Sequence, residues 1–179
     1  CNFPEWVTIA TSQGTSAGVP RTDFTYDAGH GGVLTETRPA PGGAGPYSSI
    51  RPQTRYSYAA VGGVTRLATI SSCRTTVSCA GGADETVIET IYDAKRRPSL
   101  VVTRAGNNTT AYTSTNSRVA MTYTPLGDVE SIDGPLSVTT DTVWNYYDTM
   151  RRLRVTVTPD PDGGGALQYR VTRTTYDGD

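Results

Sequence analysis

A chain of 179 residues and 19.1 kDa is long enough for one domain or a short array of repeated units. Its net charge of −1 at pH 7 excludes the basic field that nucleic acid or an anionic membrane would reward, so neither is expected as a partner. No apolar run reaches the roughly 18 residues of a membrane-spanning helix, and a composition of 36% apolar residues with 19 Gly, 11 Pro and abundant Thr, Val and Tyr predicts an all-β chain of short strands and tight turns.

Residues 1–20 carry "EWVTIATS", read as one strand of a leading unit that is cut short. The chain has no initiator Met and no signal peptide, so it is expected to be a piece of a longer protein. From residue 21 to 179 the sequence reads as an array of about six degenerate units. Their tyrosine anchors are Tyr26 in "FTYDAGHGGVLTETRP", Tyr58 in "YSYAAVGGVTRLATIS", Tyr92 in "TIYDAKRRPSLVVTRA", Tyr123 in "MTYTPLGDVESIDGP", Tyr147 in "NYYDTMRRLRVTVTP" and Tyr176 in "TTYDGD". Successive anchors are separated by 32, 34, 31, 24 and 29 residues, too regular for chance turns and too variable for fixed rungs.

Each unit alternates before Tyr, carries Asp, Gly or Arg, alternates again, and ends in Pro and Gly: strand, turn, strand, loop. In "RRLRVTVTP", Leu153, Val155 and Val157 fall on one face and Arg152, Arg154, Thr156 and Thr158 on the other. That alternation predicts one buried face and one wet face. Asp27, Asp93, Asp148 and Asp177 follow their tyrosines, whereas Ala59 and Thr124 stand at the same place after Tyr58 and Tyr123. An Asp after a strand accepts N–H bonds from the turn that follows, so these aspartates read as turn formers, not acid catalysts. The tyrosines are expected to stack from unit to unit as an aromatic ladder.

These residues resemble the YD repeats of the rearrangement-hotspot (RHS) family: strand, Tyr-Asp, two variable residues, Gly-Arg-Leu, strand, Pro/Gly loop. Tyr147, Asp148, Arg151, Arg152 and Leu153 match best, with Arg151 where Gly is usual. Tyr26, Asp27 and Gly29 match less fully, as do Tyr92, Asp93 and Arg96, and the resemblance spans about residues 20–179. It implies tandem antiparallel β-hairpin repeats forming a continuous extended or spiralling sheet. Such sheets wind into hollow shells in bacterial polymorphic toxins, insecticidal toxin complexes and the extracellular teneurins, and in toxins the shell encloses a variable C-terminal effector.

Of three cysteines, Cys1, Cys73 and Cys79, the last two are spaced so that a hairpin-like loop can bridge them. A Cys73–Cys79 disulfide is the preferred reading over two free thiols, since a metal site lacks a second ligand pair. It would place the chain in an oxidising compartment, secreted or at a cell surface. His30, the only histidine, sits in "GHGG" and reads as a solvated turn residue, leaving no metal set and no Ser-His-Asp arrangement. Asp160, Pro161, Asp162 and Gly163 resemble the Asp-Pro-x-Gly motif at the end of RHS shells, but Tyr176 follows, so they read as an internal loop. "NNTT" at 107–110 contains glycosylation sequons.

The expectation is a non-enzymatic structural segment with no cofactor and no metal. Its partners would be neighbouring repeats of the same or identical chains, with an enclosed effector domain in a longer parent. One alternative is a self-assembling filament subunit, because uncapped sheet edges recruit strands. The other is a glycan- or protein-binding surface module using Trp6, Trp144 and Tyr146.

Overall fold

The computed structural model describes residues 4–8, 21–42, 49–73, 75, 79–108, 117–136, 141–162 and 165–177. Within them the chain forms β1 (Trp6–Thr8), β2 (Arg21–Tyr26), β3 (Val33–Thr37), β4 (Gln53–Val61), β5 (Val64–Cys73) and β6 (Glu85–Tyr92). These are followed by β7 (Pro98–Ala105), β8 (Ser117–Tyr123), β9 (Val129–Asp133), β10 (Val143–Tyr147), β11 (Leu153–Thr158) and β12 (Arg170–Arg173). The strands form one 12-stranded sheet in which each bonds only to its sequence neighbours. The all-β hairpin array is therefore the fold, with no α-helix among the described residues. Cys1 and "NNTT" beyond Asn108 lie outside the described residues, as does the side chain of Trp6.

The chain divides into two compact units, residues 1–90 with 103–111, and residues 91–102 with 112–179. In the first unit β4 and β5 form a long hairpin closed by Gly62 and Gly63, whose φ angles are 55° and 77°. Positive φ at both central residues is the I′ geometry whose twist matches that of the flanking strands. In the second unit β8 pairs β9, β9 pairs β10, and β11 lies between β10 and β12.

One irregularity recurs. The ladder shifts register at Thr25/Tyr26, Ser57/Tyr58, Thr122/Tyr123 and Tyr146/Tyr147, so a β-bulge sits on the return strand opposite the step into the anchor tyrosine, at Leu34, Ala68, Glu130 and Arg154, in hairpins of both units. A bulge leaves two residues of one strand facing one of the other and re-aims the side chains beside it.

Among the described residues the buried apolar side chains are only Cys73, Val87 and Val102. Ser71, Glu85, Ser131 and Thr142 are the buried polar ones. The division into a buried and a wet face expected for β11 is not met: Leu153 is exposed and Arg154 to Thr158 are all half-buried. The physical reason is the single layer: no helix and no second sheet among the described residues covers either side, so cohesion falls on ladder bonds and cross-strand side-chain pairs.

Candidate functional site

The recurring feature is the turn after each anchor tyrosine, and its backbone is nearly the same three times. Asp93, Thr124 and Asp148 donate their N–H groups to the carbonyls of Arg97, Asp128 and Arg152 at 2.8, 2.9 and 3.0 Å. Their own carbonyls accept from Arg96, Gly127 and Arg151 at 2.9, 2.9 and 3.0 Å. The residue at that third position is left-handed in each, with φ of 67°, 99° and 65°. Glycine takes this conformation freely, whereas Arg96 and Arg151 hold it at a cost of about 1 kcal/mol each.

The side chain after Tyr closes the turn. Asp93 accepts from the Arg97 N–H (2.9 Å) and from Arg97 Nε (2.8 Å). Asp148 accepts from the N–H groups of Met150 (2.9 Å) and Arg152 (2.8 Å), and from Arg152 Nε (2.7 Å). At Thr124 a hydroxyl substitutes, with Oγ1 accepting from the Asp128 N–H at 3.1 Å. The turn at Asp27 is one residue longer: its N–H reaches the Gly32 carbonyl (2.8 Å), and its carboxylate accepts from the N–H groups of Gly29 (2.8 Å) and His30 (3.0 Å).

Electrostatics follow from these bonds. The Gly29 N–H holds the Asp27 carboxyl below the usual carboxylate range, and the Arg97 N–H does the same for Asp93. For Asp148 burial pushes the other way, and the N–H and guanidinium of Arg152 outweigh it. Groups held ionised as acceptors suit turn closure rather than proton donation.

The tyrosines clasp consecutive hairpins. Tyr58 donates its hydroxyl to the carbonyl of Val33 (2.9 Å), Tyr123 to Pro98 (2.6 Å), Tyr147 to Val129 (2.9 Å) and Tyr176 to Leu153 (2.9 Å). Each acceptor is the first residue of the preceding hairpin's return strand. Tyr26 reaches Pro4, just before β1, at 2.8 Å. Val33, Val129 and Leu153 are themselves the cross-strand partners of Tyr26, Tyr123 and Tyr147, so the hydroxyl of one unit lands on the residue opposite the previous anchor. Tyr92 ends β6 in the same way, Asp177 follows Tyr176, and Tyr58 differs in lying inside β4, four residues before its turn.

The ring-on-ring ladder does not form among the described residues. Successive anchors are two strands apart, about 9.6 Å, beyond the 4.5–7 Å of aromatic contact. Cations fill the gap: the Arg97 guanidinium lies 4.0 Å from the Tyr123 ring centre and that of Arg152 4.6 Å from Tyr176. At Tyr58 the His30 ring takes this place, edge-on at 4.5 Å. Gly32 makes room for it, since a Cβ there would sit 2.7 Å from both His30 Cε1 and Tyr58 Cζ. His30 is thus a packing group whose Nδ1 accepts from the Gly32 N–H at 3.1 Å.

Two further clusters escaped the sequence reading. Arg151 grips Asp128 through Nε (3.1 Å) and Nη2 (2.7 Å), joining neighbouring turns of the second unit. In the first unit Glu85, buried on β6, accepts from Arg55 Nη2 (2.6 Å), the Gly81 N–H (2.6 Å) and Ser71 Oγ. Burial alone would push this carboxyl up, but Ser71, Gly81 and Arg55 together hold it low. The turn supplying Gly81 follows directly on the Cys73–Cys79 disulfide, with S–S 2.11 Å and Cα–Cα 5.7 Å. The Arg97–Tyr123 and Arg152–Tyr176 pairs had a signal, an Arg five residues after one anchor and a Tyr one unit later; Arg55, Ser71 and Glu85 come from three strands and had none.

Of the other candidates, Trp144 and Tyr146 share one face of β10 and are 40% and 52% exposed. In the 160–162 loop Asp162 accepts the Leu167 N–H at 3.0 Å and Asp160 accepts the Asp162 N–H at 3.3 Å, while Gly163 lies outside the described residues. Among the described residues no three His, Cys, Asp or Glu side chains converge as a metal set.

No family model matches this sequence, and no curated protein does. Among solved structures the chain is similar to the crystal structure of TcdB2-TccC3-Cdc42, with a TM-score of 0.43 and 16% identity over 96% of this chain and 10% of that one. It is also similar to TcdB2-TccC3 without its hypervariable C-terminal region, with a TM-score of 0.42 and 17% identity over 90% of this chain and 9% of that one. The chain thus spans about a tenth of the length of the chains it resembles. At that TM-score and identity the likeness assigns no activity, and the functional reading rests on the junction geometry.

Proposed function

We propose that this chain is a non-enzymatic structural segment of a secreted or cell-surface protein of the RHS/YD-repeat type, supplying hairpins to the wall of a shell or scaffold. The observation that carries the reading is the clasp. A bulge-aimed tyrosine hydroxyl lands on the first residue of the preceding return strand in both units, so the sequence repeat is a mechanical joint. The aspartates beside the tyrosines support the same reading, being engaged by turn N–H groups. The disulfide suits an oxidising compartment, and an effector enclosed by a longer parent chain is the partner this role implies.

The competing reading is a filament subunit, favoured by β12, whose four residues are all exposed and which among the described residues bonds only to β11. Light scattering with negative-stain imaging of the purified, non-reduced chain separates the two. The wall-segment reading expects dispersed particles at the 19.1 kDa monomer mass across concentration. Ordered fibres that lengthen with concentration would overturn it.

A further inference from the structure

Two junctions of the array share a cation-on-ring contact that the junction between them lacks among the described residues. The fifth residue after an anchor tyrosine is Arg97 in one unit and Arg152 in another, and each guanidinium covers the ring of the next anchor. The fifth residue after Tyr123 is Asp128. Among the described residues no cation stacks on Tyr147, the anchor that follows. At this junction a cavity of about 390 Å³ opens instead, lined by Leu126, Asp128, Glu130, Tyr146, Tyr147 and Asp148 with their neighbours.

The chemistry of that lining is selective. Asp128 is held by Arg151 and Asp148 by Arg152, both at 2.7 Å, so neither carries unbalanced charge. Glu130 is exposed and has no ion pair or hydrogen bond among the described residues, leaving one uncompensated carboxylate at the cavity. Tyr146 is 52% exposed and Leu126 67%, which gives an aromatic face for a cation and an apolar surface for an alkyl stem.

We propose that this cavity binds an arginine side chain of a protein partner, which would complete at Tyr147 the cation-on-tyrosine contact that Arg97 and Arg152 make at their own junctions. Arginine is favoured over lysine because its planar guanidinium stacks on a ring while bonding a carboxylate through two N–H groups. The inference stands apart from the shell reading, since it requires only the junction and the cavity.

The test is a titration of the full chain with acetyl-Gly-Arg-Gly-amide, followed by NMR of ring-labelled tyrosines. Saturable shifts are expected at Tyr146 and Tyr147 and not at Tyr123 or Tyr176, which already carry a guanidinium. The lysine peptide and the Glu130→Gln chain should each bind about fivefold or more weakly, the scale of one partly exposed charge contact. Asp128→Arg, which supplies the repeat's own guanidinium, should abolish the shifts. If that variant fails to fold, Arg97→Asp provides the converse, and new peptide-induced shifts should then appear at Tyr123. An absence of saturable shifts in the unmodified chain overturns the proposal, as does equal binding by the lysine peptide or by Glu130→Gln.

Discussion

The hairpins β4–β5 and β10–β11 are built on the same joint and closed by different chemistry. Both carry a return-strand bulge opposite the anchor tyrosine, and in both the hydroxyl reaches the preceding return strand at 2.9 Å. In β4–β5 the turn is Gly62–Gly63, which needs no side chain, and the strands are fastened by the Arg55–Ser71–Glu85 cluster. In β10–β11 the turn is held by the Asp148 carboxylate, an Arg in left-handed backbone and a second Arg, while across the strands Thr156 Oγ1 donates to Asn145 Oδ1 at 3.1 Å. The feature these two hairpins share is therefore the bulge with its clasp. The Tyr-Asp turn is one of several ways of returning the strand.

Experiments can break this comparison, beginning with the buried cluster that belongs to one side of it. A Cβ at Gly106 would overlap Glu85 Oε2, so Gly106→Ala should destabilise the first unit by about 3 kcal/mol through forced displacement of the carboxylate. A urea midpoint unchanged from the parent would show that the cluster bears no such strain. Reducing Cys73–Cys79 should cost roughly 2 kcal/mol on the loop-entropy model, and should expose the Gly81 amide to hydrogen exchange before any amide of β10–β11. Equal exchange at both would contradict the local role given to that turn.

The clasp itself should weigh the same in both hairpins. Tyr58→Phe and Tyr147→Phe each remove one hydroxyl donor and should each cost about 1 kcal/mol. A loss confined to Tyr147→Phe would dissolve the common joint. On the turn side, Arg96→Gly should stabilise by about 0.5–1 kcal/mol, because Arg96 sits at φ 67° and glycine removes the left-handed penalty. Arg151→Gly should change little, since the ion pair with Asp128 is lost as the strain is relieved.

The smallest effect is with pH. Asp93 and Asp148 titrate below their ordinary value in the fold, Asp93 chiefly through the Arg97 N–H and Asp148 because the Arg152 bonds outweigh burial. Their stabilisation is therefore full above the unfolded pKa of about 3.9 and is lost as pH falls through the lower folded value. Asp148→Asn should flatten the acid limb of a stability profile to a measurable degree, and an identical limb would remove Asp148 from it.

Much of this was legible in the residues, and for mechanical reasons. The tyrosine spacing, the alternation in "RRLRVTVTP" and the Asp after the strand are local signals, and local signals fix hairpins. What stayed hidden depends on partners two strands away. The recurrence of tyrosine predicts ring on ring, but strand spacing puts Arg97 against the Tyr123 ring and His30 against the Tyr58 ring instead. Alternation along β11 predicts a buried face, yet it records only that two faces differ, and a single layer leaves both half open. The "GHGG" turn illustrates the same limit: its glycines fit a left-handed turn at Gly31 on local grounds, while Gly32 is explained by the His30 ring together with the ring of Tyr58 from the next hairpin.

A sheet whose strands bond only to their sequence neighbours behaves under load like a zipper. Tension applied along the strand order would open the ladders singly, and each clasp hydroxyl would have to release its carbonyl before the next hairpin felt the pull. Rupture would then advance in steps of a single hairpin, with resistance set by the weakest joint, and damage to one unit would leave its neighbours latched.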